Sequence, residues 1–315
     1  MSIPLVYILS TGRSGSTLLD LLLNSRSGIW SLGELDVLRH ELHHDNRPCG
    51  CGKPIIECPF WKKVIPDLPL KAPVNVDYFR ETYSTGRVLR LHHLPDLIRQ
   101  SVHSKRAPEA DLYAETNANL LSTIKSAAEE YAGREIRYLV DASKDVYRLF
   151  WLQRSPQFDV RVLHLTKDPR GFVCSNLKDN PPNPFQKTIR MAGRWLIQNS
   201  LMRYVGQRSD APYRLVRYED LARKPKSELQ GISDWLSLPS RGKFSIRESE
   251  NHAASGNDMR WREEDIYLDD AWRHDLPRFL QHLVWTMTSL LARRLGYRRG
   301  PYWVENGNNE KINQK

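Results

Sequence analysis

The residues best suited to bind an anion lie in one short stretch near the start of the chain, residues 10–17. This stretch combines glycines, an arginine and hydroxyl side chains, and its candidate ligands are Gly12, Arg13, Ser14, Gly15, Ser16 and Thr17. Glycine lets the backbone bend or approach a ligand closely, and arginine adds a fixed positive charge. A helix that begins in this loop would add its first backbone amides and the positive end of its dipole. We therefore predict an anion site, although a turn that only serves packing would use the same glycines.

The loop differs at an informative position from the nucleotide-binding pattern GxxxxGK[ST]. When Gly15 is aligned with the second glycine, Ser16 stands in place of the lysine and Ser10 in place of the first glycine. Thr17 keeps the hydroxyl that ends the pattern. Because the lysine holds the β- and γ-phosphates of ATP or GTP, its absence argues against a nucleoside triphosphate as the ligand.

Other polar residues follow short apolar segments later in the chain. Glu34 follows such a segment close to the loop, Lys144 and Arg170 follow two more, and Tyr218 ends another. Open α/β sheets bind their ligands beyond the carboxyl ends of the strands, so these positions favour one shared site. Glu34 is a candidate general base, and the same residue would also be explained as a glutamate that stabilises the first turn of a helix.

Three cysteines, Cys49, Cys51 and Cys58, lie close together, with His43 and His44 just upstream. Such a set could bind zinc, but the usual C-x₂-C pair is absent and the spacing matches no standard zinc pattern. We therefore expect buried thiols or a local structural element here, and we predict no metal ligands in the functional site.

The order of segments along the chain predicts an α/β fold. Apolar segments that read as strands cover residues 5–9, 30–32, 137–141, 161–166 and 213–218. Ser14 or Ser16 is expected to cap the first helix, and longer amphipathic helices are predicted over residues 111–132, 187–207 and 276–295. Strands that alternate with helices favour a parallel sheet, so we predict a three-layer sandwich, a mostly parallel central sheet with helices on both faces.

The composition is that of an ordinary globular protein, with 40% hydrophobic and 27% charged residues among 315. We predict a single domain over residues 1–304, with an inserted segment at about 36–110 and a polar tail at 305–315. The net charge of +10 is spread along the chain, which argues against a nucleic-acid partner. No apolar run is long enough to span a membrane, and the first strand begins too early to leave room for a signal peptide, so we expect a cytoplasmic protein.

Three motifs resemble those of the sulfotransferases that use 3′-phosphoadenosine-5′-phosphosulfate (PAPS), and the resemblance covers most of the chain. STGRSGSTLL is similar to the family's 5′-phosphosulfate loop, a P-loop-like element that lacks the lysine. HLTKDPRGFVCS is similar to the 3′-phosphate motif, in which Arg170 and Ser175 keep the usual spacing while Lys167 replaces an arginine. YRLVRYEDLARKP resembles the segment that follows this motif. The GEL and SKD triplets are similar to tyrosylprotein and carbohydrate-type sulfotransferases, and CGCGK to bacterial members.

The resemblance implies a role for each candidate residue. Glu34, Lys144 and Arg13 would be catalytic, with Glu34 as the base for the acceptor hydroxyl and Lys144 beside the leaving phosphate oxygen. The donor PAPS and its product PAP would be held by Gly12, Arg13, Ser14, Gly15, Ser16, Thr17, Arg170, Ser175, Tyr218, Asn257 and Arg260. Because one branch of the family uses a histidine as base, His40, His43, His92 and His252 are reserve candidates. Fixed cations would replace a metal ion.

The partners that the resemblance implies are small. The acceptor would be a hydroxyl group of a metabolite, lipid or carbohydrate, chosen by the inserted segment, and the resemblance leaves a homodimer open. Two other functions remain as alternatives. One is a P-loop-like nucleotide kinase, which the missing lysine disfavours. The other is a non-catalytic nucleotide-binding protein on the same fold, which the presence of both Glu34 and Lys144 disfavours.

Overall fold

The computed structural model describes residues 2–38, 48–67, 108–178, 181–208, 210–239, 250–261 and 266–300. The predictions for His40, His43, His44 and His92, for most of the inserted segment and for the tail lie outside these residues. The chain forms two compact units, of which the larger comprises Met1–Lys167 and Ile197–Asp269 and the smaller Asp168–Leu196 and Asp270–Lys315. The single domain over residues 1–304 stays a prediction.

The larger unit is built on a parallel five-stranded sheet whose strand order is β2-β3-β1-β4-β5. Its strands are β1 (Ile3–Ser10), β2 (Ile29–Gly33), β3 (Tyr138–Asp141), β4 (Phe158–Thr166) and β5 (Tyr213–Arg217). Each strand overlaps a predicted apolar segment, and most of them extend a residue or more beyond it. Because the strands are parallel, all of their carboxyl ends lie at one edge of the sheet, as the prediction of a shared site requires.

Helices cover both faces of this sheet, which confirms the predicted α/β sandwich. The helices of the chain are α1 (Ser16–Asn24), α2 (Trp61–Val64), α3 (Pro108–Ala132), α4 (Val146–Leu152), α5 (Pro169–Leu177), α6 (Pro184–Gln207), α7 (Tyr218–Arg223), α8 (Pro225–Trp235), α9 (Trp272–Asp275) and α10 (Arg278–Arg294). Short 3₁₀ turns cover Leu35–Val37, Ile55–Glu57, Ile65–Asp67 and Asp258–Trp261.

Alternation along β1 explains the two apolar layers of the larger unit. Leu5, Tyr7 and Leu9 are buried with residues of α3 and α4, whereas Val6 and Ile8 are buried with residues of α1, α7 and α8. Successive side chains of a strand point to opposite faces, so a strand that is apolar at every position must be covered on both sides. Each fully buried aliphatic side chain contributes roughly 1.5–3 kcal/mol.

The smaller unit contains α5, the first part of α6, α9 and α10. Cys174 on α5 is buried with Trp272, Leu276 and Leu280 of the segment formed by α9 and α10.

Within the described parts of the chain, no helix is both long enough and apolar enough to cross a lipid bilayer.

One prediction about the first helix is wrong. Neither Ser14 nor Ser16 caps α1, because the helix begins directly after Gly15, whose backbone is left-handed with φ of 87°, and the cap makes no side-chain hydrogen bond. The Ser16 side chain instead lies in a pocket at the helix start. The first amides of α1 are thereby left without a capping side chain, which suits a ligand at this position.

Candidate active site

The loop between β1 and α1 is held in shape by two left-handed residues and by an aromatic ring. Arg13 has φ of 64°, and Gly15 has φ of 87°. A Cβ atom at Gly15 would lie 2.4 Å from Cδ2 of Tyr218, so only glycine fits against this ring. Arg13 is exposed, whereas Ser14 is buried and hydrogen-bonds to the Thr11 hydroxyl. The structure therefore brings Tyr218 to the predicted loop.

A pocket opens at the carboxyl edge of the sheet, beside the start of α1. It has a volume of about 270 Å³ including its open mouth, and its walls include Ser16 and Thr17 of the loop together with Glu34 and Lys144.

Glu34 and Lys144 form an ion pair within the pocket. The Lys144 Nζ atom donates a hydrogen bond of 2.5 Å to Oε1 of Glu34, and the two side chains are 16% (Lys144) and 8% (Glu34) exposed. Glu34 directly follows β2 and Lys144 lies three residues after β3, and these strands are neighbours in the sheet. The sequence predicted both residues at strand ends, and the structure brings them together.

The backbone around this pair is unusually constrained. Lys144 is left-handed, with φ of 66°, and Gly33 has φ of 68°. A Cβ atom at Gly33 would lie 2.2 Å from the carbonyl oxygen of Ser255, and the Glu34 amide donates a 3.1 Å hydrogen bond to that same oxygen. Strained backbone of this kind persists where the surrounding structure fixes it, and it is common at functional sites.

A buried network supports the turn that carries Lys144. Oδ1 of Asp141 accepts hydrogen bonds from the amide, at 2.9 Å, and from the hydroxyl of Ser143. Oδ2 of Asp141 accepts from Nε of Arg148 at 2.8 Å, and Arg148 also donates to two polar side chains of α3. Asp145 caps α4 by accepting hydrogen bonds from the amides of the first turn. The position of Lys144 is thus fixed from both sides.

Asp20 is a pocket residue that the sequence analysis did not single out. It lies on α1 among leucines, is 4% exposed and accepts a 2.6 Å hydrogen bond from the Ser31 hydroxyl. Burial raises its pKa to about 7, while the Ser31 hydrogen bond and the charge of Lys144 act in the opposite direction. An acid within a run of leucines was the available signal in the sequence, because an apolar helix face gains nothing from a carboxyl group.

The segment that follows residue 250 forms another wall of the pocket. Arg260 is buried, donates a 2.7 Å hydrogen bond to the carbonyl oxygen of Pro48 and stacks on Trp261 at 4.3 Å. The backbone amide of Asn257 donates to the Thr17 hydroxyl at 3.4 Å. Both predicted residues therefore lie beside the loop or the pocket.

The predicted 3′-phosphate ligands belong to the smaller unit. The Arg170 guanidinium pairs with Asp168 at 2.7 Å, donates to the carbonyl oxygens of Arg298 and Arg299 and stacks on Trp272 at 4.1 Å. The Ser175 hydroxyl donates to the carbonyl oxygen of Gly171 at 2.8 Å. These contacts lie within one unit, and the phosphate-binding role of both residues stays a prediction.

Lys167 and Tyr218 meet within the larger unit. Lys167 Nζ lies 4.7 Å from the centre of the Tyr218 ring and forms a 3.1 Å ion pair with Asp269. The Tyr218 hydroxyl accepts a hydrogen bond from the Asp269 amide at 3.0 Å, and burial raises the pKa of Tyr218 to about 12. Lys167, which departs from the usual motif, thus supplies a positive charge next to the ring that closes on the loop.

Comparison with known proteins identifies the family of the chain and supports the fold. The sequence pattern of the family described as "Sulfotransferase family" matches residues 4–241, and the chain belongs to that family. Carbohydrate sulfotransferase 1 of Danio rerio is 23% identical over 337 residues, which cover 93% of this chain and 77% of that protein. The sulfotransferase domain of the olefin synthase of Synechococcus PCC 7002 is similar in fold, with a TM-score of 0.51 and 21% identity over 92% of this chain and 95% of that one.

Proposed function

We propose that this protein transfers a sulfuryl group from PAPS to a hydroxyl group of a small acceptor. The observation that carries the proposal is the ion pair of Glu34 and Lys144, enclosed in a pocket at the start of α1. A carboxylate and an ammonium group at one point can accept a proton from the acceptor and stabilise the leaving oxygen. Membership of the sulfotransferase family supports the same chemistry.

The residues around the loop fit the phosphosulfate end of PAPS. The hydroxyl of Ser10, at the carboxyl end of β1, is buried and has no hydrogen-bond partner among the residues that the structure describes. A Cβ atom at Gly12 would meet nothing within 4 Å, so the backbone there is open to a ligand. Gly12, Arg13, Ser14, Gly15, Ser16 and Thr17 would hold the anion through amides, hydroxyls and the guanidinium group. Arg170, Ser175, Tyr218, Asn257 and Arg260 would hold the rest of the nucleotide.

Each catalytic residue then has a distinct task. PAPS supplies a sulfuryl group to the acceptor oxygen and leaves as PAP. Glu34 takes the proton of the acceptor hydroxyl, which raises the nucleophilicity of its oxygen. Lys144 would donate its hydrogen bond to the leaving phosphate oxygen of the donor, where negative charge develops, and Arg13 would stabilise the sulfonate oxygens.

The acceptor is a hydroxyl group of a metabolite, lipid or carbohydrate. The name of the Danio rerio relative, a carbohydrate sulfotransferase, supports a sugar hydroxyl among these. The segment at about 36–110 is the proposed source of acceptor contacts. We also propose that the protein forms a homodimer and that it is located in the cytoplasm.

Thermal-shift measurements test the choice of donor. PAP should raise the melting temperature more than ATP with Mg²⁺ does, because a ligand stabilises the state to which it binds. A larger shift with ATP and Mg²⁺ would favour the kinase alternative. No shift with PAP would contradict both PAPS-dependent transfer and nucleotide binding without catalysis.

A screen of hydroxyl acceptors with labelled PAPS then supplies the assay for the base. Glu34→Gln should lower turnover at least about 100-fold, because general base catalysis contributes roughly that much, while the PAP-induced shift stays unchanged. Glu130→Gln is the matched control, since Glu130 is an exposed glutamate paired at the surface with Lys63. Turnover of the Glu34→Gln protein at the rate of the control would remove Glu34 from the proposal.

A further inference from the structure

Three cysteines and one histidine from distant parts of the chain meet beside the wall of the pocket. The Sγ atoms of Cys49, Cys51 and Cys58 and a ring nitrogen of His252 all lie within 4.8 Å of one another. Cys49, Cys58 and His252 are buried, and Cys51 is exposed. The sequence had pointed to these cysteines with His43 or His44, whereas the histidine that joins them is 194 residues beyond Cys58.

The distances within this cluster are close to those that a single tetrahedral ion requires. Nδ1 of His252 lies 3.2 Å from Sγ of Cys58 and 4.0 Å from Sγ of Cys49. With Zn–N and Zn–S bonds of about 2.0 and 2.3 Å, the ligand atoms of a tetrahedral zinc site are separated by about 3.5–3.8 Å. One ion at the centre would therefore reach all of the donors after small side-chain adjustments.

From this geometry we propose that Cys49, Cys51, Cys58 and His252 bind one zinc ion. Thiolate and imidazole ligands in a tetrahedron suit Zn²⁺, whereas Mg²⁺ and Ca²⁺ prefer oxygen. Four protein ligands leave no open position, so the ion is structural and takes no part in sulfuryl transfer. A disulfide would use two of the three cysteines and would leave the third thiol and His252 without a shared ligand.

The zinc site fastens the wall of the pocket to the segment that carries the cysteines. The Gly50 amide donates to the carbonyl oxygen of Ala253 at 3.0 Å, and Nε1 of Trp61 donates to the carbonyl oxygen of His252 at 2.8 Å. Ala253 and Ser255 line the pocket, and Ser255 accepts the hydrogen bond from the Glu34 amide. The ion would thus hold residues 252–255 in the position that Glu34 requires.

Metal analysis of the purified full-length chain tests the proposal. Protein purified without chelators should contain about one zinc ion per chain, as measured by inductively coupled plasma mass spectrometry. Cys49→Ser and Cys58→Ser should lose most of this zinc, whereas Cys174→Ser, which changes a buried cysteine of α5, should keep it. His252→Cys should keep zinc as well, because four thiolates form an equally good set. Zinc-free wild-type protein that gains none from added ZnCl₂, or an equal loss in Cys174→Ser, would overturn the proposal.

A second measurement uses only wild-type protein, so it does not depend on the folding of a variant. After zinc removal, one equivalent of Co²⁺ should give the visible absorption of tetrahedral cobalt bound to thiolates. Absorption of octahedral cobalt, or a disulfide among these three cysteines in protein purified without oxygen, would contradict the proposal. Neither result depends on PAP binding, so failure of the zinc site and failure of the proposed function can be told apart.

Discussion

At the scale of single residues, the ionisable side chains of the pocket differ in whether the partner that they contact is charged or neutral. Glu34 and Lys144 neutralise each other, whereas Asp20 is buried close by and its hydroxyl donor is neutral. The sequence identified the first two because they follow strands. It did not identify Asp20, since an acid inside a helix is usually exposed and the burial of this one depends on the sheet beside it.

The pKa of Asp20 makes stability depend on pH in a defined direction. The folded protein keeps this proton up to about pH 7, whereas the ordinary pKa of an accessible aspartate is 3.8. Between these values the folded state binds more protons than the unfolded state, so stability falls as pH rises through this window. The Asp20→Asn variant lacks this titrating group. Across the window, the free energy of unfolding of the variant should therefore fall less steeply with pH than that of the wild type, and the two slopes should differ by about 1 kcal/mol per pH unit.

Urea denaturation at several pH values across this window measures the difference between the two proteins. The asparagine introduced by this substitution would still accept the Ser31 hydrogen bond through its side-chain carbonyl oxygen, so the comparison isolates the proton. Parallel pH profiles for the two proteins would mean that Asp20 is ionised in the folded state throughout the window.

At the scale of elements, the sheet was predictable and the ends of the helices were not. Apolar runs marked every strand of the sheet, because strands covered on both faces need such runs. The start of α1 was predicted wrongly because serine side chains are common caps, whereas here the cap is Gly15 in a left-handed conformation, and the Tyr218 ring leaves no room for a side chain at that position. That ring comes from a distant part of the chain, and such a contact cannot be predicted from the residues around Gly15.

The junction between β2 and the 251–261 segment gives a prediction of its own. Gly33→Ala should destabilise the protein by several kcal/mol and reduce transfer, because the new methyl group would overlap the Ser255 carbonyl at a left-handed position. Gly133→Ala is the matched control. Its φ is 60°, but a Cβ atom there meets nothing within 4 Å, so only the backbone cost of about 1–2 kcal/mol applies. Thermal denaturation of both variants checks this, and equal losses would show that the Ser255 contact adds nothing.

At the scale of the whole molecule, the sequence resemblance was most useful and spacing arguments were least useful. Motifs along most of the chain predicted the sulfotransferase family, which the match over residues 4–241 confirms. The grouping of His252 with three cysteines could not be read from spacing, because the partners are separated by most of the chain. The same limit applies to Arg170, whose partners Arg298 and Arg299 lie far away in sequence.

Arg170 gives the prediction that belongs to this scale, because the smaller unit contains both the residue and its partners. Arg170→Ala should weaken PAP binding about tenfold or more, since a charge-assisted hydrogen bond contributes roughly 1.5–3 kcal/mol. Arg278→Ala, at an exposed arginine of α10, is the control. Calorimetric titration with PAP gives both dissociation constants. A lower melting temperature with an unchanged dissociation constant would assign the guanidinium only to Asp168, Trp272 and the two carbonyl groups.

The wall formed by the segment after residue 250 also affects how the protein can be compared with its relatives. The residues that line the pocket beyond the shared family region of residues 4–241 are Asn251, Ala253, Ser255, Gly256 and Arg260. The family match therefore does not include this wall of the pocket. An alignment restricted to residues 4–241 would compare the loop, Glu34 and Lys144 and would not register a difference in the groups that this wall admits.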